Sequence, residues 1–278
     1  MSNAIERAIT LNNLIADVQA LNVLKHEGTH EEYLEACCDA LSALTKHAMG
    51  DVPTDADCGV NCQDWYYKMC LMFQEAGITV LGSGHFSMAV RFDGLAGKVI
   101  KIGFKKEDSG AAYAAYCKDR IAIGEQLIGV KFDSVAEVEF MKRFDKFYMV
   151  VMPEYQTFED LTHDANIHND DKAFIRLQFE IANGLIDNAW LHGEKTIEQF
   201  AMRTLHSCES YDEVGSLRRV LETRKDVLEG FVAQCKNIRE FFKDIASFDT
   251  HDENVMVKWV AGQAQLVITD PVSWVRGE

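Results

Sequence analysis

The sequence predicts an α+β chain in which helices flank a block of antiparallel strands. Three observations carry that class. Apolar residues recur at helical spacing through about residue 75, the period shortens at Ile78 to brief apolar runs parted by glycine turns, and helical spacing returns after about residue 156. The chain accordingly divides into residues 1–76, 77–155 and 156–278.

Ile5, Ile9, Leu14, Val18 and Leu21 place an amphipathic helix over 3–24, and Leu34, Cys37, Leu41 and Leu44 place another over 30–49. Thr29 and Glu32 stand at capping-box spacing before the second helix, which Gly50 and Pro53 end. Asp64 is placed to cap a third helix reaching Glu75, with Gly77 just past it. These helices form an N-terminal appendage. Residues 78–81, 88–92 and 98–102 then read as an antiparallel meander turned at Gly82-Ser83-Gly84 and at 93–97. A helix over about 109–127 follows, and 135–140 and 147–152 pair across the polar turn 142–146. Beyond Met152-Pro153-Glu154-Tyr155 the pattern is helical over 173–200 and along one long helix near 212–248, with Leu217, Leu221, Leu228, Phe231, Ile238 and Phe242 on one face. Residues 255–257 and 266–269, joined at Ala261-Gly262, form a hairpin that puts Asn254 and Asp270 at adjacent strand ends.

Composition narrows the function classes. With 44 acidic and 28 basic residues the net charge is -16, which repels a nucleic-acid backbone, so no nucleic-acid partner is expected. Lys101, Lys105 and Lys106 form a short basic cluster beside the glycine loop's strands; the acidic excess serves solubility and could also draw basic segments of protein substrates. No apolar run approaches the ~20 residues that span a bilayer, and the first 24 positions mix charges into their hydrophobic pattern, so a cytoplasmic protein without a membrane partner is expected. The eight cysteines (Cys37, Cys38, Cys58, Cys62, Cys70, Cys117, Cys208 and Cys235) should then stay reduced. Cys58-x3-Cys62, with His47 upstream, lacks the second close pair of a zinc tetrad.

Three segments carry chemistry. Gly82, Ser83, Gly84, His85, Phe86 and Ser87 form a strand-to-strand loop whose glycines let backbone approach a triphosphate; Ser87 stands where a third glycine is usual, and Ala89 where a valine often roofs the adenine. An isolated Gly-x-Gly is also an ordinary hairpin turn. Lys101 sits in mid-strand, where its ammonium needs an anionic partner that phosphate supplies. Which of Glu107, Asp108, Asp119 or Glu125 holds that lysine is left open. Glu154 and Tyr155 follow the fifth strand, where adenine would be held. Far downstream, Asp249-x4-Asn254 and then Asp270 have the pattern of a general base for a substrate hydroxyl and two magnesium ligands. Ser247-Phe248 replace the His-Arg that often precedes such a base, Pro271-Val272 replace the usual Phe-Gly, and the residues after Asp270 leave no room for an activation loop. Order and spacing, more than any one segment, predict a bilobal protein-kinase-like fold using ATP and Mg2+: a five-stranded antiparallel N-lobe, and a helical C-lobe truncated after Asp270.

Gly-His-Phe-Ser (84–87), the run from Val99 through Tyr113, Ile-Ala-Ser-Phe-Asp (245–249) and Ile-Thr-Asp-Pro-Val-Ser-Trp (268–274) together resemble the early serine/threonine protein kinase of T-seven-like bacteriophages. The resemblance runs in patches through 80–274. It implies an ATP-dependent kinase made early in infection that phosphorylates host bacterial proteins of transcription, translation and RNA processing, and also itself. Ser273, three residues past Asp270, is the candidate self-modification site. The basic C-terminal domain by which some members shut off host transcription is not expected here. Two other readings stand beside it. One is a small-molecule phosphotransferase of the aminoglycoside type, since His251 lies two residues after Asp249; the other is a non-catalytic acidic module that binds host proteins on a kinase scaffold.

Overall fold

Thr29 opens the second helix as its spacing with Glu32 requires. Its N–H donates to the Glu32 carboxylate at 2.6 Å and its hydroxyl accepts from the Glu32 N–H at 3.3 Å, satisfying helix-end donors in both directions. Helix α2 (His30–Met49) then runs to Gly50, whose φ of 58° ends it. The computed structural model describes residues 2–23, 28–50, 62–104, 109–187, 196–206, 208 and 211–275. Pro53, Cys58, Lys105, Lys106, Glu107 and Asp108 lie outside them. Helix α1 (Ser2–Val23) precedes α2, and α3 (Asp64–Glu75) follows it. Asp64 is the first residue of α3 and not its cap; Gln63 holds the cap position without a side-chain bond, so Asp64 contributes only its charge at the positive helix end.

Five strands come next: β1 (Ile78–Ser83), β2 (Ser87–Phe92), β3 (Lys98–Phe104), β4 (Phe140–Arg143) and β5 (Phe147–Pro153). They form one antiparallel sheet in the order β1-β2-β3-β5-β4. The two-residue period sorts their side chains. Met88, Val90 and Phe92, Ile100, Ile102 and Phe104, and Phe147, Met149 and Val151 share one core with Leu34, Cys37, Leu41 and Leu44 of α2 and Trp65, Met69 and Phe73 of α3. Each such side chain contributes about 1.5–3 kcal/mol on leaving water. The N-terminal helices therefore cover one face of the sheet. Ala89, Lys101, Gly103, Tyr148 and Val150 alternate onto the other face. These elements make up one compact unit, Met1–Ala111 with Val138–Glu154.

A second compact unit comprises Ala112–Glu137 and Tyr155–Glu278. It takes most of α4 (Ser109–Ile128), then α5 (Phe158–His163), α6 (Asn169–Ala182), α7 (Ile197–His206), α8 (Tyr211–Thr223) and α9 (Lys225–Phe242). Strands β6 (Gln156–Thr157), β8 (Val255–Val260) and β9 (Gln263–Ile268) make a small sheet, while β7 (Ala246–Phe248) pairs with β10 (Val272–Val275). The β8–β9 hairpin turns at Ala261-Gly262, both at positive φ.

Helical or strand spacing is overridden at four places, the first three through long-range bonds. The expected helix over 212–248 breaks at Arg224, which adopts φ -121° and ψ 24° as its guanidinium pairs with buried Asp171 at 2.9 Å and lies 4.7 Å from the Phe174 ring centroid. That helix also stops at Phe242, because Ala246 to Phe248 are drawn into strand pairing with β10. Over 135–140 only Phe140 is strand: Ser134 O accepts from Ile268 N–H at 2.9 Å and Ala136 N–H donates to Ile268 O at 3.2 Å, so that backbone is already committed to β9. Over 173–200, α6 ends at Ala182 and passes into a π-turn at 183–187.

Candidate functional site

The candidate residues fall into two groups, one in each unit. In the first, the turn between β1 and β2 is closed by Gly84 N–H donating to Ser87 O at 2.9 Å, after a bulge between Val80 and Gly82. Phe104 N–H donates to Phe86 O at 3.0 Å, which ties the tip to β3, and the His85 and Phe86 rings meet edge to face at 4.3 Å. Gly82, Ser83, Gly84 and His85 are exposed. Neither Gly82 nor Gly84 lies at positive φ, and a Cβ on either would meet nothing within 4 Å. The chain's own folding therefore does not demand glycine at these positions. What the missing side chains leave is open approach to backbone for a group that is not part of the chain.

Lys101 is half-buried on β3, opposite Ala89 of β2 and Val150 of β5. Two residues along the same face, Gly103 lies under Tyr148, which is 2% exposed; a Cβ at Gly103 would come well under 3.0 Å from three atoms of that side chain. Nothing in the local pattern distinguishes Gly103 or Tyr148, because their contact depends on β3–β5 register. Glu154 ends this unit with its N–H donated to Gly97 O at 2.9 Å and its carboxylate held by Arg91 through Nε at 3.0 Å and Nη2. The Arg91 guanidinium holds the Glu154 carboxyl below its ordinary value. Tyr155, which begins the second unit, accepts through its hydroxyl from Glu137 N–H at 3.0 Å. Asp119 and Glu125 are exposed on α4.

In the second unit Asp249, Asn254 and Asp270 are drawn together by a closed run of hydrogen bonds. Pairing of Phe248 with Val272 brings β7 and β10 alongside, and Asp249 N–H donates to Pro271 O at 3.0 Å. Asn254 Nδ2 donates to Asp249 O at 2.7 Å. Asn254 O accepts from Asp270 N–H at 3.2 Å, from Thr269 N–H at 3.1 Å and from the Thr269 hydroxyl at 2.9 Å. The Asp249 side chain stays 51% exposed, open to an incoming group. His251 Nδ1 accepts from Glu253 N–H at 3.3 Å, an assignment that places the ring proton on Nε2, 3.7 Å from Asp249 Oδ2. Phe248, which replaces the usual arginine, is instead covered by the guanidinium of Arg239 at 5.3 Å. Ser273 is half-buried on β10.

The donor set is one of hard oxygens. With Nδ2 donated to Asp249 O, Asn254 has its amide oxygen to offer a cation, and Asp270 has a half-buried carboxylate. Among the described residues no group of three or more His, Cys, Asp or Glu side chains could hold a metal. Two hard oxygen donors fit Mg2+, which keeps waters and takes further ligands from substrate phosphate. Among the described residues no helix is long and apolar enough to cross a membrane.

Asp187 and Asn183, on the π-turn, touch this loop and are invisible to motif spacing. Asn183 Nδ2 donates to Thr250 O at 2.8 Å across 67 positions of sequence. Burial, and then the like charge of Asp249, push the Asp187 carboxyl above its ordinary value, while a hydrogen bond from Thr250 N–H and the charges of Arg239 and His251 act the other way.

A sequence model of one protein family, described as bacteriophage T7 protein kinase 0.7, matches residues 1–278, the whole chain. No curated protein sequence matches it.

Proposed function

Because the chain belongs to the bacteriophage T7 protein kinase 0.7 family, we propose that it transfers the γ-phosphoryl group of ATP, with Mg2+, to serine and threonine hydroxyls of host bacterial proteins and to its own Ser273. The two compact units correspond in this reading to the two lobes of a protein kinase. The observation that carries it is the hydrogen-bonded closure of Asp249, Asn254 and Asp270 in Asp-x4-Asn order.

Each residue has a defined task. The exposed Asp249 carboxylate orients the attacking hydroxyl and takes its proton. Lys101 offsets phosphate charge, and the open faces of Gly82 and Gly84 admit the triphosphate to backbone N–H groups. Asn254 Oδ1 and Asp270 would hold Mg2+, which when bound neutralises charge on the phosphate oxygens. The Glu154 carbonyl and Tyr155 would receive the adenine. Phosphorylation of transcription, translation and RNA-processing proteins would then favour phage over host expression.

The test is transfer of labelled γ-phosphate to lysate proteins by wild type and Lys101→Met, followed by phosphoamino-acid analysis. Phosphoserine and phosphothreonine that need both Mg2+ and Lys101 are expected. Label confined to small molecules, or unaffected by Lys101→Met, would overturn the assignment.

A further inference from the structure

Thr250 follows the candidate base directly and is only 2% exposed. A buried peptide group must find partners, and leaving one unmade costs about 1–3 kcal/mol. Both of its backbone groups face one π-turn. Asn183 Nδ2 donates to Thr250 O at 2.8 Å, and the Asp187 carboxylate lies close enough to the Thr250 N–H for that group to favour its charged form. The turn is itself anchored, since Arg239 of α9 donates to Ile186 O while its guanidinium covers Phe248, the residue before Asp249. Asp249 meanwhile gives its N–H to Pro271 O and its carbonyl to Asn254 Nδ2. Three of the four backbone hydrogen-bonding groups of Asp249 and Thr250 are thereby held in hydrogen bonds and the fourth, Thr250 N–H, faces the Asp187 carboxylate, while the Asp249 carboxylate is left outside that network. Single-turn π insertions of this kind recur at functional sites.

We infer that Asp187 and Asn183 are positioning residues for phosphoryl transfer, clamping Thr250 at both ends so that the Asp249 carboxylate meets the acceptor hydroxyl at a fixed place. The inference rests on the kinase reading of Asp249. Neither residue touches the nucleotide in this account; they act through the Thr250 peptide. Loss of the clamp lets the Asp249 backbone shift, and small misplacement of a reacting group costs rate and not nucleotide affinity.

The experiment measures labelled γ-phosphate transfer to a bacterial lysate at varied ATP for the full chain carrying Asp187→Ala, Asp187→Asn, Asn183→Ala or Asp249→Ala, each checked for folding by circular dichroism. Asp187→Ala is expected to lower kcat by about 10- to 100-fold with KM for ATP within about twofold. Asp187→Asn, whose amide oxygen still accepts from Thr250 N–H, is expected to recover most of the rate; a merely structural role for the charge would give no such recovery. If Asp187→Ala does not fold, Asn183→Ala supplies the same test from the other end of Thr250. Wild-type kcat in both alanine variants, or a rise in KM for ATP as the main effect, would overturn the clamp while Asp249→Ala remains inactive. Full transfer by Asp249→Ala would instead overturn the kinase reading on which it rests.

Discussion

Replacing Gly103 by alanine drives a methyl group into Tyr148, on the sheet face that carries Lys101. The added Cβ would lie well under 3.0 Å from Cζ, Oη and Cε1 of a side chain that is 2% exposed, across the register that pairs Gly103 with Tyr148, so a buried ring must shift to admit it. Overpacking of this kind costs about 1–3 kcal/mol. At roughly 2–4 °C per kcal/mol for chains of this order of size, Tm should fall by a few degrees and at most about 12 °C. Tyr148→Ala alone removes a buried aromatic and should cost about 3–5 kcal/mol. The double variant removes the clash together with the ring, so its cost should fall short of the two singles added together by about the clash itself, 1–3 kcal/mol. Urea unfolding followed by circular dichroism measures all four corners of the cycle. Strict additivity, or an unchanged midpoint in Gly103→Ala, would refute the packing argument.

The glycine loop predicts the opposite pattern. Gly82→Ala and Gly84→Ala have neither a positive φ nor a neighbour within 4 Å to resist them, so thermal stability should hold or rise by about 0.4–1 kcal/mol while KM for ATP rises; a loss of stability with unchanged KM would show a structural role only. The Arg91–Glu154 pair predicts a pH signature. Because Glu154 titrates below its unfolded value, the pair's stabilisation is complete above the ordinary carboxylate range and is lost as pH falls through the lowered value. Glu154→Gln should therefore lower Tm slightly at neutral pH and not in acid, and a difference that persisted in acid would count against the pair.

Much of the first unit could be read from residue order alone. The Thr29–Glu32 capping box, the alternation of Met88, Val90 and Phe92, and the β3 run around Lys101 are local rules, and the five-stranded antiparallel sheet follows from them. In the second unit, spacing brought Asn254 and Asp270 to adjacent ends of a hairpin, which β8 and β9 realise. The two misreadings along 212–248 share one cause. Arg224 leaves helical geometry for Asp171, 53 positions away, and Ala246 to Phe248 leave helical spacing for β10. Arg91 reaches Glu154 across 63 positions and Asn183 reaches Thr250 across 67, so neither partnership leaves a trace in periodicity. Tertiary contacts outweigh the few tenths of a kcal/mol by which most residues differ in local preference.

Asp249 is the residue on which the account turns, and the most direct measurement compares wild type with Asp249→Ala for both ATP binding and transfer of labelled γ-phosphate to protein. The account predicts that ATP binding survives, since the glycine loop and Lys101 are untouched, while labelling of serine and threonine falls by two or more orders of magnitude, about what loss of a positioned general base costs. Equal labelling by the two proteins would contradict it.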